Sequence, residues 1–82
     1  MWLRVRVDDG MFSSELAITY PPTDHNWQKS VFVPRECVRS ARQHVGEVQV
    51  VKVFEKDGNR FAVLPSSYRD IVKVEDADLV QR

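Results

Sequence analysis

The amino-acid sequence predicts a mainly β protein: a small antiparallel β-barrel or strongly curved sheet of five to six strands, with one short helix near residues 34–45. Three observations carry that prediction. Apolar and polar residues alternate over much of the chain, the period of a half-buried strand. Turn-forming clusters, Asp8-Asp9-Gly10 and Lys56-Asp57-Gly58-Asn59, separate the alternating runs. Only Pro34 to Gly46 spaces its apolar residues as a helix would.

The first strand follows from Leu3, Val5 and Val7, with Trp2, Arg4 and Arg6 on the opposite face. Alternation resumes at Ser14, Leu16, Ile18 and Tyr20, so residues 2–20 read as a hairpin in which Gly10 supplies a positive φ. Pro21-Pro22-Thr23-Asp24-His25-Asn26 joins no ladder easily and reads as a loop. A third strand is expected at about residues 28–33, through Val31 and Val33. In the next segment proline suits a first helical position, Glu36 the first turn, and Gly46 the position after the last. Cys37, Ala41 and Val45 recur every four residues beside Val38, against Val33 as a poor N-cap. A helix of two or three turns is expected, and a single turn followed by irregular chain is the alternative.

Val48, Val50, Val51, Val53 and Phe54 are apolar on both faces, as in a central strand. Asp57-Gly58 is the strongest hairpin signal in the chain, pairing residues 47–55 with 60–64. Pro65-Ser66-Ser67 ends that arm. A last strand covers Ile71 to Val74, and Asp76 suits the cap of one helical turn through Leu79.

The two halves rhyme. Glu15-Leu16-Ala17-Ile18 and Val31 to Val38 are answered by Arg60-Phe61-Ala62-Val63 and Val72 to Val80. Each half would be three strands and a short helical turn, two units wrapped on one another. Identity between the halves is low, and chance similarity of two meanders is the other explanation.

With 82 residues, 43% of them apolar and 29% charged, the chain reads as one domain spanning residues 1–82. Twelve basic and twelve acidic residues give zero net charge, and each half balances separately. No basic domain exists to bind polyanions at large; only a local patch could. A near-neutral surface favours self-association, so a homodimer is expected. Cys37 is the only cysteine, which argues against an oxidising compartment. The longest apolar run, Phe61 to Leu64, makes neither a signal peptide nor a membrane span, so the cytoplasm is the simplest location.

No catalytic constellation emerges. On a helix, Cys37 and His44 would lie about 10 Å apart at ~1.5 Å per residue, beyond nucleophile–base contact. His25 could approach Cys37 only through folding, and a lone thiol reads as a small buried hydrophobe. One cysteine and two distant histidines cannot close a metal site. Asp8-Asp9 and Glu75-Asp76-Asp78 are explained by turns and caps. Three scattered glycines build no phosphate loop. Neither an enzyme, a cofactor nor a small-molecule substrate is expected.

Two binding surfaces are. Arg35, Arg39 and Arg42 fall at i, i+4 and i+7, on one line of the expected helix, with Lys29 nearby. That stripe suits phosphate oxygens, with Trp27 or Trp2 stacking on bases, although a solvated helix face reads the same way. Trp2, Arg4 and Arg6, with Trp27, combine aromatic and arginine side chains as protein interfaces do.

The order Val31-Phe32-Val33-Pro34-Arg35-Glu36-Cys37-Val38-Arg39, then Gly46-Glu47-Val48-Gln49-Val50 and the Asp57-Gly58 hairpin, resembles that of swapped-hairpin transition-state regulators and antitoxins. The resemblance covers about half the chain and lacks the leucine-glycine usual after the helix. It implies an intertwined dimer that binds DNA through basic residues, with Lys29, Arg35 and Arg39 in the matching region. The neutral charge, the small size and the aromatic–arginine face around Trp2 make the expected function a non-catalytic module for protein–protein interaction or oligomerisation; Lys29, Arg35, Arg39 and Arg42, with this resemblance, make a nucleic-acid-binding regulator the alternative.

Overall fold

The computed structural model describes residues 1–82 and contains nine strands, no α-helix and three single 3₁₀ turns. The strands are β1 (Trp2–Asp9), β2 (Glu15–Thr19), β3 (Val31–Pro34), β4 (Val38–Arg42), β5 (Val45–Gln49), β6 (Lys52–Lys56), β7 (Asn59–Val63), β8 (Ile71–Val74) and β9 (Leu79–Val80). One sheet has the order β3-β2-β1-β5-β4, with β9 also on β1; the other is β6-β7-β8. All pairings are antiparallel. Leu3, Val5, Ile18, Val33 and Val48 are almost wholly buried between the sheets, joined there by Ala62, Leu64 and Val74.

Pro34 to Gly46 is not a helix. Arg35–Cys37 forms one 3₁₀ turn, and Val38–Arg42 then runs as a strand against β5. The i, i+4 apolar spacing was outweighed by the open edge of β5, whose backbone groups β4 satisfies. Ser40, Gln43 and His44 have φ of 56°, 55° and 68°, values no helix contains. Arg42 pairs with Val45 across Gln43-His44, so two positive φ values make a tight I′-type hairpin turn without the usual Asn-Gly. Gly46 is therefore no helix terminus. It sits in β5 where a Cβ would lie 3.1 Å from the Ala41 Cα and 3.2 Å from the Arg39 carbonyl oxygen, so β4 passes only because the side chain is missing.

Other expectations need smaller corrections. Residues Trp27–Lys29 form a 3₁₀ turn, capped by the Asn26 side chain accepting from the Gln28 N–H (3.1 Å), so the third strand begins only at Val31. Gly10 does not use positive φ, which among the glycines Gly58 alone adopts; a Cβ at Gly10 would lie 2.7 Å from the Glu15 carbonyl oxygen. The last turn, Asp76–Asp78, follows Glu75 and has no side-chain cap. The run from Val48 to Phe54 is two strands. Val50 and Val51 interrupt it, Val51 stands 52% exposed, and the inward positions pass from Val48 and Val50 to Val53. That inserted residue, not burial on two faces, explains the unbroken apolar pattern.

The halves are related by an internal two-fold relation, visible in the registers. Leu3 pairs with Val48 at its centre. Leu3 also pairs with Leu79, as Val48 does with Val38. Val7–Ile18–Val31 in one half corresponds to Val53–Ala62–Val72 in the other. Leu16–Val33 corresponds to Arg60–Val74. The sequence match of Val31 with Val72 is thus correct, and that of Glu15 with Arg60 is displaced by one residue. Each half ends in a strand that crosses over: β4 pairs with the first strand of the second half, and β9 with the first strand of the first.

The strands do not close a barrel, because neither β3 nor β8 pairs with a further strand. The two openings differ chemically. At the end of β8 the Glu75 N–H donates to the Tyr20 hydroxyl (3.0 Å), which itself donates to the Asp78 carboxylate (2.6 Å). The corresponding residues at the end of β3 are Pro34, which has no N–H, and Leu64, which has no hydroxyl. No such staple can form there, and a cleft remains.

Candidate interaction surfaces

The arginines do not form one line. Arg35, in the 3₁₀ turn, donates its Nε to the Ser13 carbonyl (2.7 Å). Arg39 lies on β4, its guanidinium 3.9 Å from the centre of the Trp2 ring and its Nε 2.8 Å from Glu47, with a further bond to the Arg82 carbonyl. Arg42, at the end of β4, is exposed and forms no ion pair. Lys29 is tied to Asp24 (3.1 Å). Because Val38–Arg42 is a strand the helical spacing does not exist, and two of the four cations already hold carboxylates.

Trp2, Arg4 and Arg6 do share the outward face of β1, where the alternation placed them. Trp2 is half-buried beneath Arg39, and Arg6 binds Asp8 with both Nε (3.0 Å) and Nη2 (3.3 Å). His44 Nδ1 stands 3.1 Å from the same carboxylate. Arg4 alone remains exposed and unpaired. Trp27 belongs to a different element, the turn before β3, where it is 76% exposed. This face is largely satisfied within itself. Cys37 is half-buried against the core, and no hydrogen bond links it to His25 or His44.

The largest cleft, about 600 Å³, lies between β3 and the loop after β7. Phe32, Pro34 and Glu36 form one wall; Ser66, Ser67 and Arg69 form the other. The Arg35 N–H bonds to Ser14, so residues 31 and 33 turn their backbone groups toward β2 and Phe32 turns its N–H and C=O outward. The facing loop is held by Ser66, which is buried, with 3% of its surface exposed. Its hydroxyl donates to Asp70 (2.6 Å) and accepts the Asp70 N–H (3.0 Å), while the Arg69 N–H closes on the Ser66 carbonyl. Tyr68 projects from this loop 91% exposed, and Phe32 stands 43% exposed opposite it in an adjoining hollow. The sequence marks Phe32 only as part of a strand and Pro65-Ser66-Ser67 only as the end of one. The signal available was Pro34, a strand-end proline that leaves an outer edge short of a donor.

Two groups titrate abnormally. Burial, then the hydrogen bond to Asp78, pushes the Tyr20 phenol from 10.0 up to about 12. The Asn26 N–H, then the Lys29 ammonium, holds the Asp24 carboxyl below its ordinary range. Both belong to loop staples, not to the cleft. No helix is long and apolar enough to cross a membrane. No family model matches the chain, and no curated protein or solved structure is significantly similar to it.

Proposed function

We propose that the protein is a non-catalytic binding module that takes an extended segment of another polypeptide, or of a second copy of itself, along the outer edge of β3. One observation carries the reading: the outward N–H and C=O of Phe32 border a cleft that no strand fills. Main-chain groups of that kind supply affinity for an added strand, and neighbouring pockets select its side chains. The Phe32 and Tyr68 rings beside Arg69 give the rim the aromatic and arginine composition of binding hot spots. Zero net charge leaves self-association unopposed. The lone thiol fits a reducing compartment such as the cytoplasm.

Sedimentation over a wide concentration range, with hydrogen exchange of the Phe32 amide, tests the self-pairing form. A pull-down comparing wild type with Phe32→Asp and Tyr68→Ala tests the other. Concentration-dependent protection at Phe32, or partners lost with both variants, supports the reading. A strict monomer whose captured proteins are indifferent to both substitutions refutes it.

A further inference from the structure

The outer face of the β6-β7-β8 sheet carries a chemistry that neither the core nor the β3 edge requires. Its registers set Lys52, Val63 and Ile71 in one row, then Phe54, Phe61 and Lys73 in the next, with Lys56 beside Asn59 beyond. The Phe54 and Phe61 rings stack, 5.4 Å between centres and 20° between planes. The Lys52 ammonium stands 5.7 Å from the Phe54 ring centre. All three lysines are exposed, and none is in an ion pair. Glu55 belongs to the opposite face, where it meets Arg60 (3.8 Å). The paired positions of this face hold no carboxylate; Glu75, one step past β8, is the first in register.

The internal two-fold relation supplies a control. The corresponding rows in the first half are Arg6 and Thr19 with Ser30, one step before β3, then Asp8, Ala17 and Phe32. There the arginine is neutralised by Asp8, and Thr19 and Ser30 bond to each other (2.7 Å). The same scaffold therefore folds with a self-satisfied face. Three free ammonium groups around a stacked aromatic pair are not a demand of the fold.

We infer that this face binds single-stranded nucleic acid, the lysines holding successive phosphates and the phenylalanine pair offering a ring on which a base stacks. Lys52 and Lys56 are four residues apart on one strand, about 13 Å at ~3.3 Å per residue, with the aromatic pair between them. A flexible single strand brings both charge and exposed ring faces to that arrangement. A duplex hides its bases and offers this face only phosphates. An acidic peptide matches the charge without need of the rings, and a bilayer requires several protruding apolar groups, whereas on this face Ile71 alone stands out and Phe54 and Phe61 are half-buried. The inference is independent of the β3 edge.

The test is fluorescence anisotropy with labelled oligo-dT and oligo-U of about 15 nucleotides, at low and rising salt. Binding is expected at low salt, with log Kobs falling against log salt at a slope of about −1.4 to −2.1, for two to three phosphates. Lys52→Glu with Lys73→Glu abolishes it. Phe54→Leu, which keeps an apolar side chain at that position, weakens it at least about fivefold. Arg42→Glu and Phe32→Asp, away from this face, leave it in place. The inference is overturned by no binding at low salt, by equal affinity for duplex DNA, by indifference to the lysine pair, or by tighter binding of polyglutamate or anionic vesicles.

Discussion

Replacing Tyr20 by phenylalanine removes one oxygen atom and two hydrogen bonds, and those bonds join the loop after β2 to the turn before β9. The bond to the Asp78 carboxylate is charge-assisted and is worth about 1.5–3 kcal/mol; the Glu75 N–H, at an exposed position, recovers part of its loss from water. We expect Tyr20→Phe to cost about 2 kcal/mol at neutral pH, a fall of roughly 8–16 °C in Tm for a domain of this size. The phenol adds a signature in pH. Its pKa is raised in the folded state, so its contribution is complete below pH 10.0 and is lost as pH rises toward about 12. Two pH units correspond to about 2.7 kcal/mol, which solvent at a half-buried phenol reduces to about 1–2. Wild type and variant should therefore converge in stability between those pH values, while other alkaline titrations affect both alike. Thermal unfolding monitored by circular dichroism across that range checks this. An unchanged Tm at pH 7, or a gap that stays constant as Tyr20 ionises, refutes the stapling argument.

Three further outcomes follow from the packing and the loops. Leu3→Ala empties a wholly buried site at the centre of the two-fold relation and should cost about 3 kcal/mol by denaturant unfolding, whereas Val51→Ala, at the exposed insertion, should cost under about 1. Gly58→Ala meets no atom within 4 Å but must hold φ +78°, so it should lose about 1 kcal/mol. Gly46→Ala, facing Val7 Cγ2 at 3.0 Å and the β4 backbone, should lose more. In NMR titration Asp24 should protonate below the ordinary carboxylate range, and Lys29→Ala should return it only part of the way, because the Asn26 N–H is the larger cause. Stability from that carboxylate is present above its usual pKa and disappears as pH falls through the depressed value.

Short-range chemistry made the strands readable. Leu3, Val5 and Val7 alternate inward as expected, and Asp57-Gly58 closes a two-residue hairpin with Lys56 opposite Asn59. What misled was a pattern shared by two structures. Cys37, Ala41 and Val45 satisfy helical spacing, but a strand beside β5 satisfies the backbone of two elements at once, a gain no local window contains. With β4 a strand the arginine stripe is gone, since Arg35, Arg39 and Arg42 align only on a helix. The insertion at Val51 shifts which side chains of the second half face outward. In one unbroken strand Lys52 and Phe54 would share the inward face of Val48 and Val50; the break between β5 and β6 turns them outward together. The cleft beside Phe32 was invisible because its far wall is the distant loop around Ser66.

The exchange of final strands between the two halves bears on how the chain folds and fails. Neither half holds a complete set of pairings alone: cutting the chain between β4 and β5 would strand β4 without its ladder and leave β1 without β9. Unfolding should therefore be one cooperative transition without a half-folded species. Because β9 must find β1 across nearly the whole chain length, folding should also be slow for so small a protein. During that search the unfilled edges of β1 and β5 are open to the same strands of another molecule. Two chains could then complete each other reciprocally, each lending the other the strand it would have kept.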